Sequence, residues 1–269
     1  MRGRLALALG GALLALLVLG SLAAPLLSPH HPYAQELAGG LAPPGPGHPM
    51  GQDKLGRDIA SRVLHGGRVS LLIGFAAVLA SLLAGLAVGG LAGCAGGAWD
   101  EGLMRTADVF QAFPGILLAI ALMSVLEPRP ANVVASLAAF GWVGYARLVR
   151  AQILSLRERE FVTAARAAGA RPGRVFARHL LANLLSPVIV EASFGTAGAI
   201  VAEAGLSFLG LGIQPPEPSW GAMLAEGRDF LLIAPHLTLF PGLAIALTVM
   251  SLNVLGDGLR DLLDPAGRR

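Results

Sequence analysis

The sequence predicts an all-α integral membrane protein with six transmembrane helices and a short helix in a cytoplasmic loop. Of its 269 residues, 54% are hydrophobic and only 14% are charged, whereas charged residues make up about 25% of an ordinary soluble domain. Long runs without any charged side chain recur along the chain. This composition excludes a disordered protein and argues against a soluble enzyme. The single cysteine, Cys94, excludes an internal disulfide framework and a zinc site built from cysteines.

Six apolar stretches are long enough to cross a bilayer, whose hydrocarbon core needs roughly 20 helical residues. Five contain no charged residue, and the other contains Glu191 and Glu203. The predicted spans are residues 5–27, 69–99, 109–126, 130–146, 184–206 and 230–256. The first stretch follows Arg2 and Arg4, as a secretory signal would, but the apolar region of a signal has only about 7–15 residues. We therefore expect it to be a membrane span.

The distribution of positive charge predicts that both termini are cytoplasmic, because cytoplasmic segments carry the excess of Lys and Arg. Six of the 20 basic residues then fall on external segments: Lys54, Arg57, Arg62, Arg68, Arg129 and Arg228. The others fall on internal segments, most densely between residues 147 and 178. We divide the chain into two parts. Residues 1–68 form a span with an external segment rich in Pro and Gly, and residues 69–269 form a core of five spans with an inner loop near 155–182.

The second span carries small residues at every fourth position. They are Ser81, Gly85, Gly89, Gly93 and Gly97. Residues four apart lie on one face of a helix, and small residues there let a neighbouring helix approach closely. The pattern predicts a tight helix interface and says nothing about function.

Two carboxylates interrupt the fifth span. The twelve-residue separation of Glu191 and Glu203 places them roughly 120° apart around a helix and about 18 Å apart along it. They therefore cannot form a catalytic pair. A carboxylate in hydrocarbon is costly and usually faces the bundle interior or a water-filled path. Two interpretations stay open: both side chains reach the interfaces, or one of them lies on a substrate path or in a contact between subunits.

No catalytic, cofactor-binding or metal-binding arrangement is recognisable. The only lysine, Lys54, does not follow a glycine as the lysine of a Walker loop does. The six histidines lack the spacing of metal ligands on a helix. His30, His31 and His48 share the first external segment, where metal binding stays open beside the commoner case of solvated histidines. The arginines of the inner loop follow from the positive-inside bias, so we expect neither a cofactor nor a nucleic-acid partner.

The inner loop contains a predicted short helix of small residues. Residues 160–168 are good helix formers with little bulk. Gly169 suits the position after the helix, where a left-handed backbone is needed, and Pro172 suits the first turn of the next helix. Such a helix is suited to insertion into a groove on another protein. Glu160 and the four alanines would make a poor surface for binding a membrane.

Thr163-Ala164-Ala165, followed by Gly169, resembles the EAA loop of ABC-type importer permeases. Further motifs resemble the dipeptide, oligopeptide and nickel branch of that family. They are His48-Pro49-Met50-Gly51-Gln52-Asp53 with Gly56-Arg57-Asp58, Arg105 and Asp108 with Phe113-Pro114, Arg178-His179-Leu180 with Asn183, residues 206–212, Pro218-Ser219-Trp220-Gly221, and residues 253–261. They follow the family's order over nearly the whole chain, which looks like the C-type permease subunit of such a pair.

The resemblance implies a type I ABC importer permease fold in the cell inner membrane, with no catalysis in this chain. It implies four kinds of partner: a second permease, two ATPase subunits, an external substrate-binding protein and the lipid bilayer. Glu160, Thr163, Ala164, Ala165 and Gly169 would couple the spans to the ATPases. The transported solutes would be dipeptides or oligopeptides.

The chain departs from the family pattern at three places. Thr163 stands where the loop of the family has Glu, and Glu160, one helical turn earlier, can supply a charge on the same face. Gln52 stands where Thr is usual, and Ala182 stands where Pro is common before Asn183. These changes weaken the inference about how tightly the loop couples.

Other functions and contacts stay open. A nickel-chelate or other small-solute permease would have the same motifs, and a membrane-embedded enzyme would use Glu191 or Glu203 with a partner such as His236 or Asp108. Residues 207–221 are apolar and rich in Pro, with Trp220 suited to the water–lipid boundary. We expect this segment to pack on the spans rather than touch the binding protein. Residues 51–62 either cap the bundle or contact a partner.

Overall fold

The computed structural model describes residues 2–263, apart from the side chains of Arg2, Arg166 and Pro172. This part of the chain consists of helices and connecting segments and contains no β-strand. The helices are α1 (Arg2–Leu22), α2 (Ala24–Leu27), α3 (Ile59–Ala95), α4 (Gly97–Gln111), α5 (Gly115–Met123), α6 (Pro130–Leu156), α7 (Glu160–Ala167), α8 (Pro172–Val175), α9 (Leu181–Phe208), α10 (Trp220–Gly227) and α11 (His236–Leu263). A π-helical turn, Phe176–Leu180, joins α8 to α9.

Within residues 2–263, five helical segments are long and apolar enough to cross a membrane. They are Gly3–Leu22, Ile59–Ala95, Pro130–Leu156, Gly173–Phe208 and His236–Leu263. Helices α4 and α5 together pass the same test, but they are bent by 76°. Counted as one crossing, this pair brings the number of spans to the predicted six. The all-α membrane fold is therefore confirmed.

The third predicted span, residues 109–126, is wrong as a single helix. α4 ends at Gln111, α5 begins at Gly115, and Pro114 lies at the bend between them. Proline has no backbone N–H and disfavours a helical conformation in the residue before it. The helix therefore breaks at Phe113-Pro114, and only α5 continues through the apolar stretch.

The second predicted span, residues 69–99, has different ends in the structure. α3 begins at Ile59, where the side chain of Asp58 accepts a hydrogen bond from the amide of Ser61 at 2.8 Å. It ends before Gly96, whose φ of +66° breaks the helix. The predicted division at 68/69 therefore falls inside α3. Charge-free runs miss this start because two arginines lie in the first turns of α3.

Helices α1 and α11 pack antiparallel. Gly3 lies against Asp261, and Gly10 lies against the backbone of Ser251 and Leu255. The first helix thus begins at the same end of the bundle where the last one finishes. When the start of α1 and the end of α11 lie at one end of the bundle, the helices between them cross the bilayer an even number of times, which agrees with six spans. We call this the α7 end, because α7 also lies there, and the other the α10 end.

The small-residue stripe on α3 forms the interface with α6. Gly85 contacts Tyr145, Gly89 contacts the backbone of Ala146, and Gly93 contacts Ile153, each so closely that a side chain would collide. The predicted interface is confirmed for Ser81 to Gly93. Gly97 lies outside it, because the helix has already ended.

Candidate functional site

α7 (Glu160–Ala167) is the short helix predicted in the inner loop. Val162 is completely buried, whereas Glu160, Thr163 and Ala164 are exposed. Ala165 is partly buried. The exposed residues of α7 thus include small side chains, one carboxylate and the ring of Phe161, which is 42% exposed.

Gly169 ends this helical turn as its position in the sequence predicts. Its φ is +81°, a left-handed conformation that glycine adopts without a steric penalty. The amide of Ala170 donates a hydrogen bond to the carbonyl of Ala165 at 3.0 Å, the bond typical of a helix that ends in a left-handed residue. No described residue lies within 4 Å of where a Cβ on Gly169 would be. The turn therefore faces open space.

The buried side of α7 is joined to two spans. Val162 and Val175 belong to one apolar cluster with Ile153 near the end of α6 and Leu184 near the start of α9. Burying a side chain of this size stabilises the contact by about 1.5–3 kcal/mol. α7 therefore shares buried apolar surface with the end of α6 and the start of α9.

α4 is tied to α6 by ion pairs. Arg150 contacts both carboxylate oxygens of Asp100, with an Nη2–Oδ2 distance of 2.7 Å. One helical turn earlier, Arg147 contacts Asp108. A bidentate arginine–carboxylate pair fixes orientation as well as distance. The loop end of α6 is therefore held by α4 on one side and by the cluster around α7 on the other.

A cavity of about 330 Å³ lies among α3, α5, α6 and α9. Its wall is mostly small and apolar, and it includes Ser81, Tyr145 and Glu191. A second cavity, of about 640 Å³, lies toward the α7 end and is bordered by Glu191 and Arg260. Glu191 is exposed and lines both cavities. It lies about 15 Å along α9 from the start of that helix, well away from either end.

Tyr145 was missed by the sequence analysis. Its hydroxyl is buried at the cavity wall, lies against Gly195, and has no hydrogen-bond partner within residues 2–263. The available signal was a lone tyrosine beside Gly141 and Gly144 in an apolar span. A polar group among small residues indicates a wall where another helix or a solute can approach.

Glu203 has a different environment from Glu191. It is completely buried, and its Oε1 accepts a hydrogen bond from Ser207 at 2.7 Å. The hydroxyls of Ser70 and Ser219 also lie beside this carboxylate. Of the two carboxylates, Glu203 is therefore enclosed by the described part of the chain, whereas Glu191 is exposed. The hydrogen bond from Ser207 holds the Glu203 carboxylate within the last turns of α9.

A buried ion-pair network joins the residues before α3 to α10. Arg57 contacts Glu226 at 2.6 Å and Asp53 at 2.5 Å. Arg62 contacts Glu226 at 3.2 Å and Asp53 at 3.5 Å. The side chains of both arginines are at most 3% exposed. Of the two interpretations of residues 51–62, the structure therefore supports a cap on the bundle.

Residues 207–221 pack on the spans, as expected. Trp220 is 1% exposed, and its indole N–H donates a hydrogen bond to the carbonyl of Val63 at 2.9 Å. The prediction that Trp220 lies at the water–lipid boundary is therefore wrong. At the rim of this segment, Tyr33 donates a hydrogen bond to Glu217 at 2.9 Å. Partial burial, and then this hydrogen bond, raises the pKa of Tyr33.

Comparison with known proteins identifies one family. The family described as "Binding-protein-dependent transport system inner membrane component" matches residues 85–269. The glutathione transport system permease protein GsiD of Pectobacterium atrosepticum is 48% identical over 82% of this chain and 74% of its own length.

Two further relatives cover more of the chain. The dipeptide transport system permease protein DppC of Alkalihalophilus pseudofirmus is 43% identical over 92% of this chain and 82% of its own length. The di/tripeptide transport system permease protein DppC of Pseudomonas aeruginosa is 42% identical over 96% and 88%. These relatives are transport subunits and not enzymes, which argues against the embedded-enzyme alternative. The chain belongs to the binding-protein-dependent transport system inner membrane components, the permease subunits of ABC importers.

Proposed function

We propose that this permease carries dipeptides and oligopeptides, together with a second permease chain, two ATPase subunits and an external substrate-binding protein. The names of the relatives support peptide-like solutes, since all three act on dipeptides, di/tripeptides or glutathione. A nickel-chelate permease would share the same motifs. The names favour peptides, and the binding protein would make the final choice of solute.

The α7 end faces the cytoplasm in this proposal, with both termini on that side. Two observations support it. Gly3 lies against Asp261, so the first and last helices share that end with α7. The external segments would then carry only six of the 20 basic residues, as the positive-inside bias requires.

The exposed face of α7 docks on an ATPase subunit. Glu160, Thr163, Ala164 and Ala165 form the contact surface, and Gly169 lets the turn enter a groove because it carries no side chain. ATP binding would move the docked helix as a rigid body. The observation that supports this step is that Val162 belongs to the same buried apolar cluster as Ile153 of α6 and Leu184 of α9. The movement would reach the spans through this cluster.

The cavity bordered by Tyr145 and Glu191 is this chain's share of the translocation path. Its support is that Glu191 lines two cavities in succession, one among the spans and one toward the α7 end. A carboxylate at membrane depth is retained where it serves a path. It would attract the positively charged amino terminus of a peptide without holding it, because the rest of the wall is apolar.

The first test is isolation of the chain from its native membrane in mild detergent, followed by mass spectrometry of the proteins that accompany it. We expect a second multi-span permease and one or two ATPase subunits. The matched control replaces Gly169 with Trp, which should keep the second permease and lose the ATPases. Recovery of the chain without any ATPase would overturn the proposal.

A further inference from the structure

We infer that His30, His48 and Asp58 form a binding site for a divalent transition-metal ion at the α10 end of the bundle. Each residue offers one ligand atom, and these atoms lie within 4.8 Å of one another. Two imidazole nitrogens and one carboxylate oxygen suit Zn²⁺, Ni²⁺ or Cu²⁺. The site lies apart from the cavity that contains Glu191 and from the ion pairs of Arg57 and Arg62.

Asp58 is the fixed member of this site. Its side chain is fully buried, and its Oδ2 accepts hydrogen bonds from the amide and the hydroxyl of Ser61 at 2.8 and 2.7 Å. Its Oδ1 remains for the histidines. Such an outer hydrogen bond orients a ligating carboxylate and improves metal affinity. Among the described residues, its ion-pair partners are His48 and His30, with no arginine or lysine. The buried negative charge therefore lacks a permanent counter-charge.

The two histidines converge on that one oxygen. Nδ1 of His48 lies 2.9 Å from Oδ1 of Asp58, and Nδ1 of His30 lies 3.9 Å from it. With metal–ligand bonds near 2.0–2.2 Å, ligand atoms in a tetrahedral site are about 3.3 Å apart. These two separations lie on either side of this value, and all three ligand atoms lie within 4.8 Å of one another, so the histidine rings would rotate when an ion binds. The rings are stacked, with centroids 4.4 Å apart.

The solvent exposure of the two histidines and the number of protein ligands also fit a bound metal ion. The side chain of His30 is 42% exposed and that of His48 is 22% exposed, so an ion can reach the site from solvent. Three protein ligands leave a fourth position for water, as in open metal sites. His31 is excluded, because its ring contacts Tyr33 instead.

A bound ion would link three separate parts of the chain. His30 follows α2, His48 lies in the loop before α3, and Asp58 caps the first turn of α3. Cross-linking them would hold the long segment between α2 and α3 onto the bundle, at the end opposite α7. The metal cross-link would stabilise this part of the fold without any direct contact with the transported solute.

The test is a Zn²⁺ titration of the full-length chain, purified without a polyhistidine tag, in competition with a chromogenic chelator. We expect one Zn²⁺ per chain. His30→Ala and His48→Ala should each weaken binding at least about tenfold, in the range that loss of a metal-site group produces. His31→Ala is the matched control and should leave the affinity unchanged. Both test variants keep Asp58 and its cap on α3.

A second readout separates a specific site from surface binding. Zn²⁺ should raise the Tm of the wild-type chain and of His31→Ala, but not that of His48→Ala, because an ion that binds only the folded state stabilises it. Absence of stoichiometric Zn²⁺, or equal affinity in all three histidine variants, would overturn the inference. Since neither measurement depends on uptake, the result stands apart from the proposed transport function.

Discussion

Gly89 of α3 lies directly against the backbone carbonyl of Ala146 on α6. A Cβ at this position would overlap the carbonyl oxygen and come within 2.9 Å of the carbonyl carbon. These are backbone atoms, which cannot rotate away as the end of a flexible side chain can. The two helix backbones are therefore in close contact here, and the contact can be tested by adding a single methyl group.

Gly89→Ala should destabilise the protein. Alanine normally gains about 1 kcal/mol over glycine inside a helix, whereas overpacking costs about 1–3 kcal/mol. We expect the cost of overpacking to exceed the gain in helix propensity, because the two helix backbones must move apart to accommodate the methyl group. The measurement is the Tm in detergent, compared with Gly20→Ala on α1, where no described residue lies within 4 Å of the new Cβ. Equal or higher stability of Gly89→Ala would refute the close approach.

Glu226→Gln should destabilise the cap at the α10 end. Glu226 pairs with both Arg57 and Arg62, and neutralising one partner of a buried pair costs about 3–5 kcal/mol because the remaining charges stay buried. Thermal unfolding is the measurement. Glu217→Gln, at an exposed position before α10, is the control. Its amide oxygen can still accept the hydrogen bond of Tyr33, so stability should change by less than about 0.5 kcal/mol. Similar losses in the two variants would contradict the network.

Gly169→Trp should leave the permease in the membrane but abolish uptake and stimulation of the ATPase. The φ of +81° at this position disfavours any residue with a side chain, and the indole would fill the space into which the turn is proposed to dock. Asparagine tolerates left-handed conformations, so Gly169→Asn separates backbone strain from bulk and should retain more uptake than Gly169→Trp. Normal uptake by Gly169→Trp would contradict the proposal that α7 docks on an ATPase subunit.

Glu191→Gln should lower peptide uptake while the complex still assembles. The amide keeps the size of the side chain but removes the charge that would attract the amino terminus of a peptide. Uptake into vesicles and recovery of the assembled complex are measured side by side. Glu101→Gln, an exposed position on α4, serves as the control. Uptake at the wild-type rate would show that the cavity is not the path.

Much of the fold could be predicted from charge-free runs, because water-free surroundings make unpaired charge costly. The exceptions are instructive. Arg62 lies within α3 because Glu226 and Asp53 supply counter-charges, and these partners are brought together only by folding. The break between α4 and α5 was indicated by Pro114 itself, but a search for runs without charged residues takes no account of proline.

The structure of the inner loop was predictable because it depends on the conformational preferences of residues within the loop. The helix formers of residues 160–167, the left-handed Gly169 and the following Pro172 each act on their own neighbourhood. The roles of Glu191 and Glu203 were not predictable, since the two carboxylates occur in equally apolar surroundings along the chain. Only the packed neighbours distinguish the buried Glu203 from the exposed Glu191.

The antiparallel contact between α1 and α11 bears on how this protein is made. Gly10 seats against Ser251 and Leu255, so a helix inserted early during synthesis waits in the bilayer for one inserted late. Contacts between distant parts of a chain form slowly, because closing a long loop loses conformational entropy. Until α11 has been synthesised, the side of α1 that carries Gly3 and Gly10 lacks the helix it packs against in the folded protein. A nascent chain stalled before α11 would therefore be the form most open to mispairing and to membrane proteases.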